Sequence, residues 1–362
     1  MTNVIQIAQH LEKVIPNCAT PPSITAWQML SKVQHVVSDM RVNTCHRYIS
    51  PQSYEVEVVR HVVDGVQEQP RYKGLMQCNS TWLCPICSQR ISHNYEELLV
   101  EGFANADASG YTLEMLTLTI QHSRQDLLDG LFKALLQARR LMRNRKTWKR
   151  IMNAAGFVGQ VKATEITHGE NGWHVHTHEV LILARPLTAE ESNDIFDAWR
   201  QACLDAGLRA PSLKAYNCKQ IDYVAASRYV TKFSVASELT AVGVKHTAGH
   251  HTIWDIIMLA SRGNTLMTAL VMEYARATFG RARLELSKGA RIAMDIKAVL
   301  VDQAAERDAS DDETVDVIDV ISSLEWYRIC HCEQREMLLI AYRKRGREGG
   351  RELIKYIMDG ST

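Results

Sequence analysis

The sequence predicts an α+β protein: an antiparallel sheet flanked by helices, preceded by a small cysteine-rich module and followed by a helical C-terminal region. Three observations carry this. Residues 158–166 and 173–183 alternate around the turn signal Gly169-Glu170-Asn171-Gly172, which reads as a β-hairpin. Leu113 to Ile120 reads as a further strand, and Asp126 to Met152 reads as one long helix whose apolar Leu127, Leu131, Leu135, Leu141, Trp148 and Ile151 oppose its basic residues. Cys78-x5-Cys84-Pro85-Ile86-Cys87 spaces three thiols for a metal rather than for a disulfide framework.

The elements follow in order. Residues 1–40 are expected to be helical, with Ile5, Ala8, Leu11, Val14 and Ile15 at helical spacing. Residues 41–100 form the cysteine module, with a β-branched strand at 54–63 between Cys45 and the clustered cysteines. Residues 101–290 hold the sheet. Within them Thr188-Ala-Glu-Glu191 matches a capping box ahead of a second helix. Further helices are expected over 221–239 and 250–276. Residues 291–362 read as an acidic linker and a helical tail.

Composition limits the function classes. A chain of 362 residues with 46% hydrophobic content can bury two or three modules. No run of about 18 apolar residues and no basic, apolar leader occurs, so a cytoplasmic protein without membrane contact is expected. The formal charge of +1 hides a strong asymmetry. Arg139, Arg140, Arg143, Arg145, Lys146, Lys149 and Arg150 form a run with no acid among them, while Asp302 to Asp319 holds eight acids against Arg307 alone. The basic run is a candidate DNA contact, salt-sensitive and largely independent of sequence.

Two constellations carry chemistry. Alternate strand residues share a face, so His174, His176 and His178 point the same way. A hairpin turn centred between Glu170 and Asn171 places Glu165 opposite His176 and completes a two-histidine, one-carboxylate site. Such ligation suits Mg2+ or Mn2+ with open positions for water and a phosphate oxygen. About fifty residues on, Tyr229 and Lys232 are neighbours on one helical face. A phenol is a weak nucleophile at neutral pH unless its oxyanion is favoured, which a nearby ammonium and a polarised phosphate both achieve. Tyr223 is off the face of Tyr229 by about 240°. The second constellation is Cys78, Cys84 and Cys87, which need a fourth donor for tetrahedral Zn2+; Cys45 or His46 is the natural one, with His93 a weaker alternative. His246, His250 and His251 form a further cluster that could be a second metal site, but without defined spacing they read as structural.

At these residues the chain resembles the plasmid rolling-circle replication initiators of the HUH endonuclease superfamily. The resemblance spans about residues 41 to 290. It rests on Leu116-Thr117-Leu118-Thr119, Glu165-Ile166-Thr167, Gly172 to Leu181 with Val175 in place of a proline, the cysteines at 45, 78, 84 and 87, and the late elements Gly280-Arg281-Ala282-Arg283 and Ser287-Lys288-Gly289-Ala290. It implies an HUH-type sheet, with Glu165, His176 and His178 as metal ligands and Tyr229 as nucleophile assisted by Lys232. It further implies nicking of one strand of origin DNA, single-stranded or extruded as a hairpin. A 5′-phosphotyrosyl enzyme and a 3′-hydroxyl primer would result, with rejoining at termination and host helicase and polymerase as partners. Phe233 stands where some relatives carry a second tyrosine, and Ala225 where some carry a glutamate that activates a terminating water. A related transposase or relaxase would use the same chemistry, and a zinc-ribbon regulator without catalysis is the alternative from another class.

Overall fold

The computed structural model describes residues 24–38, 40–63, 66–67, 69–231, 250–297, 301 and 315–360. In chain order the elements are α1 (Ala26–Val36), β1 (Val56–Val63), β2 (Val66–Gln67), β3 (Arg71–Lys73), α2 (Pro85–Ala108), β4 (Thr112–Thr119), α3 (Leu128–Asn144) and α4 (Lys146–Ala154). There follow β5 (Gly159–Gly169), β6 (Gly172–Leu183), α5 (Ala189–Asp205), β7 (Tyr216–Ile221), α6 (Tyr223–Thr231), β8 (His250–His251), α7 (Ile253–Ala260) and α8 (Thr265–Thr278). The chain closes with β9 (Leu284–Leu286), α9 (Lys288–Ala293), β10 (Val315–Ile321), α10 (Ser323–His331) and α11 (Arg335–Asp359). Mixed α/β architecture, antiparallel sheets flanked by helices and a helical C-terminus all match the expected fold class. Among these residues no helix is long and apolar enough to cross a membrane.

The chain divides into two compact units. The first joins the described residues up to Ser80, with Cys84–Cys87, to those from 315 to 360. Its strands pair around β1, which lies antiparallel to β10, β2 and β3. The segment expected to be only acidic linker and helical tail therefore also supplies a strand, with Val56 opposite Ile321. The physical reason is burial: Val56, Val58 and Ile321 join Trp326, Leu338, Tyr342, Leu353 and Ile357 in one apolar core. Arg335 fastens it, donating to the His46 carbonyl at 3.0 Å and to Gln34 Oε1 at 3.1 Å, while Tyr72 Oη donates to the Arg335 carbonyl at 2.6 Å.

The second unit is built on a six-stranded sheet in the order β7-β4-β6-β5-β8, with β9 also pairing with β5. The hairpin forms in the expected register, Gly169 opposite Gly172 across the two-residue turn and Glu165 opposite His176. Gly172 sits at φ +86°, and a Cβ there would meet the Ser123 carbonyl oxygen at 2.9 Å, so the turn requires glycine. One face of the sheet carries Leu113, Met115, Val161, Ala163, Val180 and Ile182, packed with Leu99 and Phe103 of α2, Ala226 and Val230 of α6 and Ala290 of α9. The opposite face meets α3, whose Arg139 reaches Glu179 of β6.

The single helix expected over 126–152 is instead two, broken at Arg145, which is extended at φ −67°, ψ 144°. A continuous helix would turn by about 600° between Met142 and Trp148, about 240° off the buried stripe. The extended residue resets the phase, so that Met142, Trp148, Ile151 and Met152 are all buried. The capping box at Thr188 and Glu191 forms as expected. Most of the helix expected over residues 1–40 lies outside the described residues, and the helix expected over 221–239 is described only as far as Thr231.

The late Ser287-Lys288-Gly289-Ala290 element is a backbone joint. Ser287 exchanges hydrogen bonds with the Gln160 backbone, its N–H donating at 3.0 Å and its Oγ accepting at 2.8 Å, and its hydroxyl caps α9. A Cβ on Gly289 would overlap the Val158 carbonyl. Gly289→Ala is therefore expected to lower stability by about 1–3 kcal/mol or more, read as a shift in the urea midpoint without a change in slope.

Candidate functional site

Strand pairing brings Glu165, His176 and His178 together. His176 lies opposite both Glu165 on β5 and Thr119 on β4, and His178 lies opposite Thr117. Glu165 Oε2 stands 2.9 Å from His176 Nε2 and 3.1 Å from His178 Nε2. The three donor atoms lie within 4.8 Å of one another. Adjacent donors about 2.1 Å from one octahedral ion are separated by about 3.0 Å, so this set fits a single divalent cation. Burial pushes the Glu165 carboxyl up, but the hydrogen bonds and charges of His176 and His178 outweigh it and hold it well below the usual carboxylate range. The carboxylate is therefore anionic and ready to ligate. His174 stands apart from this set, its ring 5.0 Å from His176 and 5.1 Å from His122.

Helix α6 lies on the same sheet face as the triad, held by the buried Ala226 and Val230. Position 229 belongs to this helix, three residues after Ala226; the Tyr229 side chain and Lys232 lie outside the described residues. Tyr223 opens the helix and is 37% exposed. Asp222 accepts from the Ala225 N–H at 2.7 Å and so caps the helix. Phe233 and His246 also fall outside the described residues. His250 and His251 form β8, beside Gly169 and His168.

The four cysteines converge as well. Cys45 Sγ is 3.6 Å from Cys84 Sγ and 3.5 Å from Cys87 Sγ, and Cys78 Sγ is 3.8 Å from Cys87 Sγ. These separations far exceed a disulfide's. They match the edge of about 3.8 Å that a tetrahedron of sulfurs at about 2.3 Å from zinc would have. The thiols crowd one another: Cys45, Cys78 and Cys84 push Cys87 well down, while burial pushes Cys84 up. Four sulfurs so placed ionise together only around a cation. Cys45 is thus the residue placed to be a fourth donor; His46 instead lies against Cys87 and helps to lower its thiol, and the exposed His93 pairs with Glu97 at 3.3 Å.

The basic run separates into two groups. Arg139, only 13% exposed, pairs with the fully buried Glu179, its Nη2 2.8 Å from Oε2. Arg143 meets Gln160 and stacks over Trp148, Arg145 pairs with Asp205, and Arg150 with Asp194 at 2.8 Å. Arg140, Lys146 and Lys149 are exposed and form no ion pair among the described residues. Two further contributions escaped the sequence reading. Thr117 Oγ1 lies 3.0 Å from His178 Nδ1, and the Gly280-Arg281-Ala282-Arg283 element holds Trp82, whose Nε1 donates to the Arg281 carbonyl at 2.7 Å beneath the Arg283 guanidinium. The threonine was legible only as part of a Leu-Thr-Leu-Thr strand.

The replication protein family model matches residues 71–199, a stretch that holds three of the four cysteines and the whole Glu-His-His hairpin. Over those residues the chain is similar to replication proteins. Protein rep of Streptomyces lividans is 29% identical over 146 residues, covering 33% of this chain and 32% of that protein. The neomycin resistance protein of Streptomyces cyanogenus is 28% identical over 135 residues, covering 30% and 31%. The chain thus matches about a third of the length of these curated relatives. No solved structure matches. The matched module ends before α6 and therefore before Tyr229.

Glu179 offers a direct test of the sheet's other face. Burial pushes its carboxyl up, but Arg139 outweighs that and holds it below its usual value. A depressed carboxyl contributes stability above its unfolded pKa of about 4.3, and that contribution is lost as pH falls through the folded value. Arg139→Met is expected to destabilise the protein by about 3–5 kcal/mol at pH 7. The gap to wild type should begin to narrow as pH falls from 7 towards about 4, because the orphaned buried carboxyl takes up its proton above its usual value, and narrow further below that as the wild-type carboxylate protonates, as measured by denaturant unfolding across pH.

Proposed function

We propose that this chain initiates replication of a plasmid by nicking one strand of origin DNA with Tyr229. The observation that carries this reading is the register that sets Glu165 against His176 and His178 on the face that α6 covers, in a chain that matches the replication protein family over residues 71–199. The triad would hold Mg2+ or Mn2+, and the bound ion would polarise the scissile phosphate as a Lewis acid. The Tyr229 hydroxyl attacks phosphorus, an oxygen–phosphorus bond to the protein forms, and the bond from phosphorus to the 3′ oxygen breaks. The phenol proton passes to solvent and the departing 3′ oxygen takes one up, leaving a 5′-phosphotyrosyl enzyme and a 3′-hydroxyl primer. Lys232 supplies positive charge beside the phenolate. Rejoining at termination reverses the same step, and host helicase and polymerase would extend the freed end.

Cys45, Cys78, Cys84 and Cys87 would hold a structural Zn2+, since a closed all-thiolate set leaves no position for substrate. Arg140, Lys146 and Lys149 are the members of the basic run best placed to neutralise phosphates.

Three outcomes test this. Incubated with Mn2+ and a hairpin-bearing oligonucleotide from its own replicon, the wild type and Tyr223→Phe should form a covalent adduct stable to denaturing gel electrophoresis, whereas Tyr229→Phe should form none. Equal adduct from Tyr229→Phe would refute the assignment. Metal analysis of Cys84→Ser should find about one zinc fewer per chain than in wild type. Paired Lys146→Ala and Lys149→Ala changes should weaken DNA binding uniformly across sequences and reduce the salt slope by about 2.

A further inference from the structure

We infer that Thr117 is a positioning residue for the metal centre: its hydroxyl accepts the Nδ1 proton of His178 and so holds the Nε2 lone pair towards the ion. This rests on the reading of Glu165, His176 and His178 as a metal site. A neutral imidazole carries its proton on one nitrogen, and only the other can ligate. His178 Nε2 is the atom turned towards Glu165, so a ligating His178 must carry its proton on Nδ1, and Thr117 Oγ1 stands 3.0 Å from that nitrogen. The placement follows from register, because Thr117 on β4 is directly opposite His178 on β6.

The two histidines differ in this respect. Thr119 is directly opposite His176 in the same ladder, yet His176 Nδ1 is buried with no hydrogen-bond partner among the described residues. Two threonines at equivalent strand positions therefore do different things, and only one is aimed at a ring nitrogen. A strand that merely preferred β-branched residues would make no such distinction. Groups that fix a ligating histidine in this way typically change metal affinity by about 10–100-fold when removed.

The test uses the full-length, zinc-loaded chain and titrates Mn2+ directly, by the electron paramagnetic resonance signal of free Mn2+, without DNA. Thr117→Val, which keeps the β-branched shape, should weaken Mn2+ binding about 10–100-fold. Thr117→Ser should restore binding to near the wild-type value, and Thr119→Val should leave it unchanged. Thr117→Val binding within twofold of wild type, or an equal loss in Thr119→Val, would overturn the inference. If Thr117→Val does not fold, 15N-histidine NMR of the Mg2+-loaded wild type decides: a His178 Nδ1 proton protected from exchange supports the hydrogen bond, and a freely exchanging one overturns it. If wild type and His176→Ala bind Mn2+ equally, the metal-site reading itself fails, an outcome distinct from either of these.

Discussion

The second unit depends on one constraint, the register of the β5–β6 hairpin. Side chains alternate along a strand with a period of two, so a slip by one residue would move every group to the opposite face. The two-residue turn between Gly169 and Gly172 prevents that slip, and the positive φ of Gly172 fits a close approach to Ser123 that a side chain would block. Because this register is fixed, Glu165, His176 and His178 emerge together on one face, while Lys162 and Glu179 emerge on the other.

The two faces solve different electrostatic problems. On the face covered by α3, the buried Glu179 carboxylate is neutralised within the protein by Arg139 in a bidentate pair. On the face shared with α6, the Glu165 carboxylate meets two imidazoles among the described residues, which can exchange the hydrogen bonds they make for bonds to a cation. The same sheet thus keeps one anion satisfied and another available. The four-cysteine cluster in the first unit follows the second pattern, gathering groups that a cation would complete.

Much of this was legible in the sequence because it is local. Gly-Glu-Asn-Gly between two alternating runs determined the hairpin and, through it, the partner of His176. Cys-Pro-Ile-Cys announced its own cluster, and Thr188 with Glu191 announced a helix start. What escaped depends on partners that local pattern does not reveal. The break at Arg145 follows from which side chains must reach the core, and the pairing of β1 with β10 joins opposite ends of the chain. The charges from 139 to 150 could be counted but not partnered: Arg139, Arg143, Arg145 and Arg150 face Glu179, Gln160, Asp205 and Asp194, all distant in sequence. Thr117 was visible as a strand residue, and only the sheet shows which ring it addresses.

The pairing of β1 with β10 also bears on how the chain is made. Val56 must wait for Ile321, so at about 5–20 residues per second the ribosome leaves that side of β1 unpaired for roughly ten seconds or more. An open, valine-rich strand edge is a template for pairing with other chains. Every described strand of the sheet that holds Glu165 and the two histidines is synthesised within this interval. The newborn protein therefore has the sheet of its second unit laid out first and its cysteine-bearing unit sealed last, so the open edge of β1 is exposed to other chains during translation.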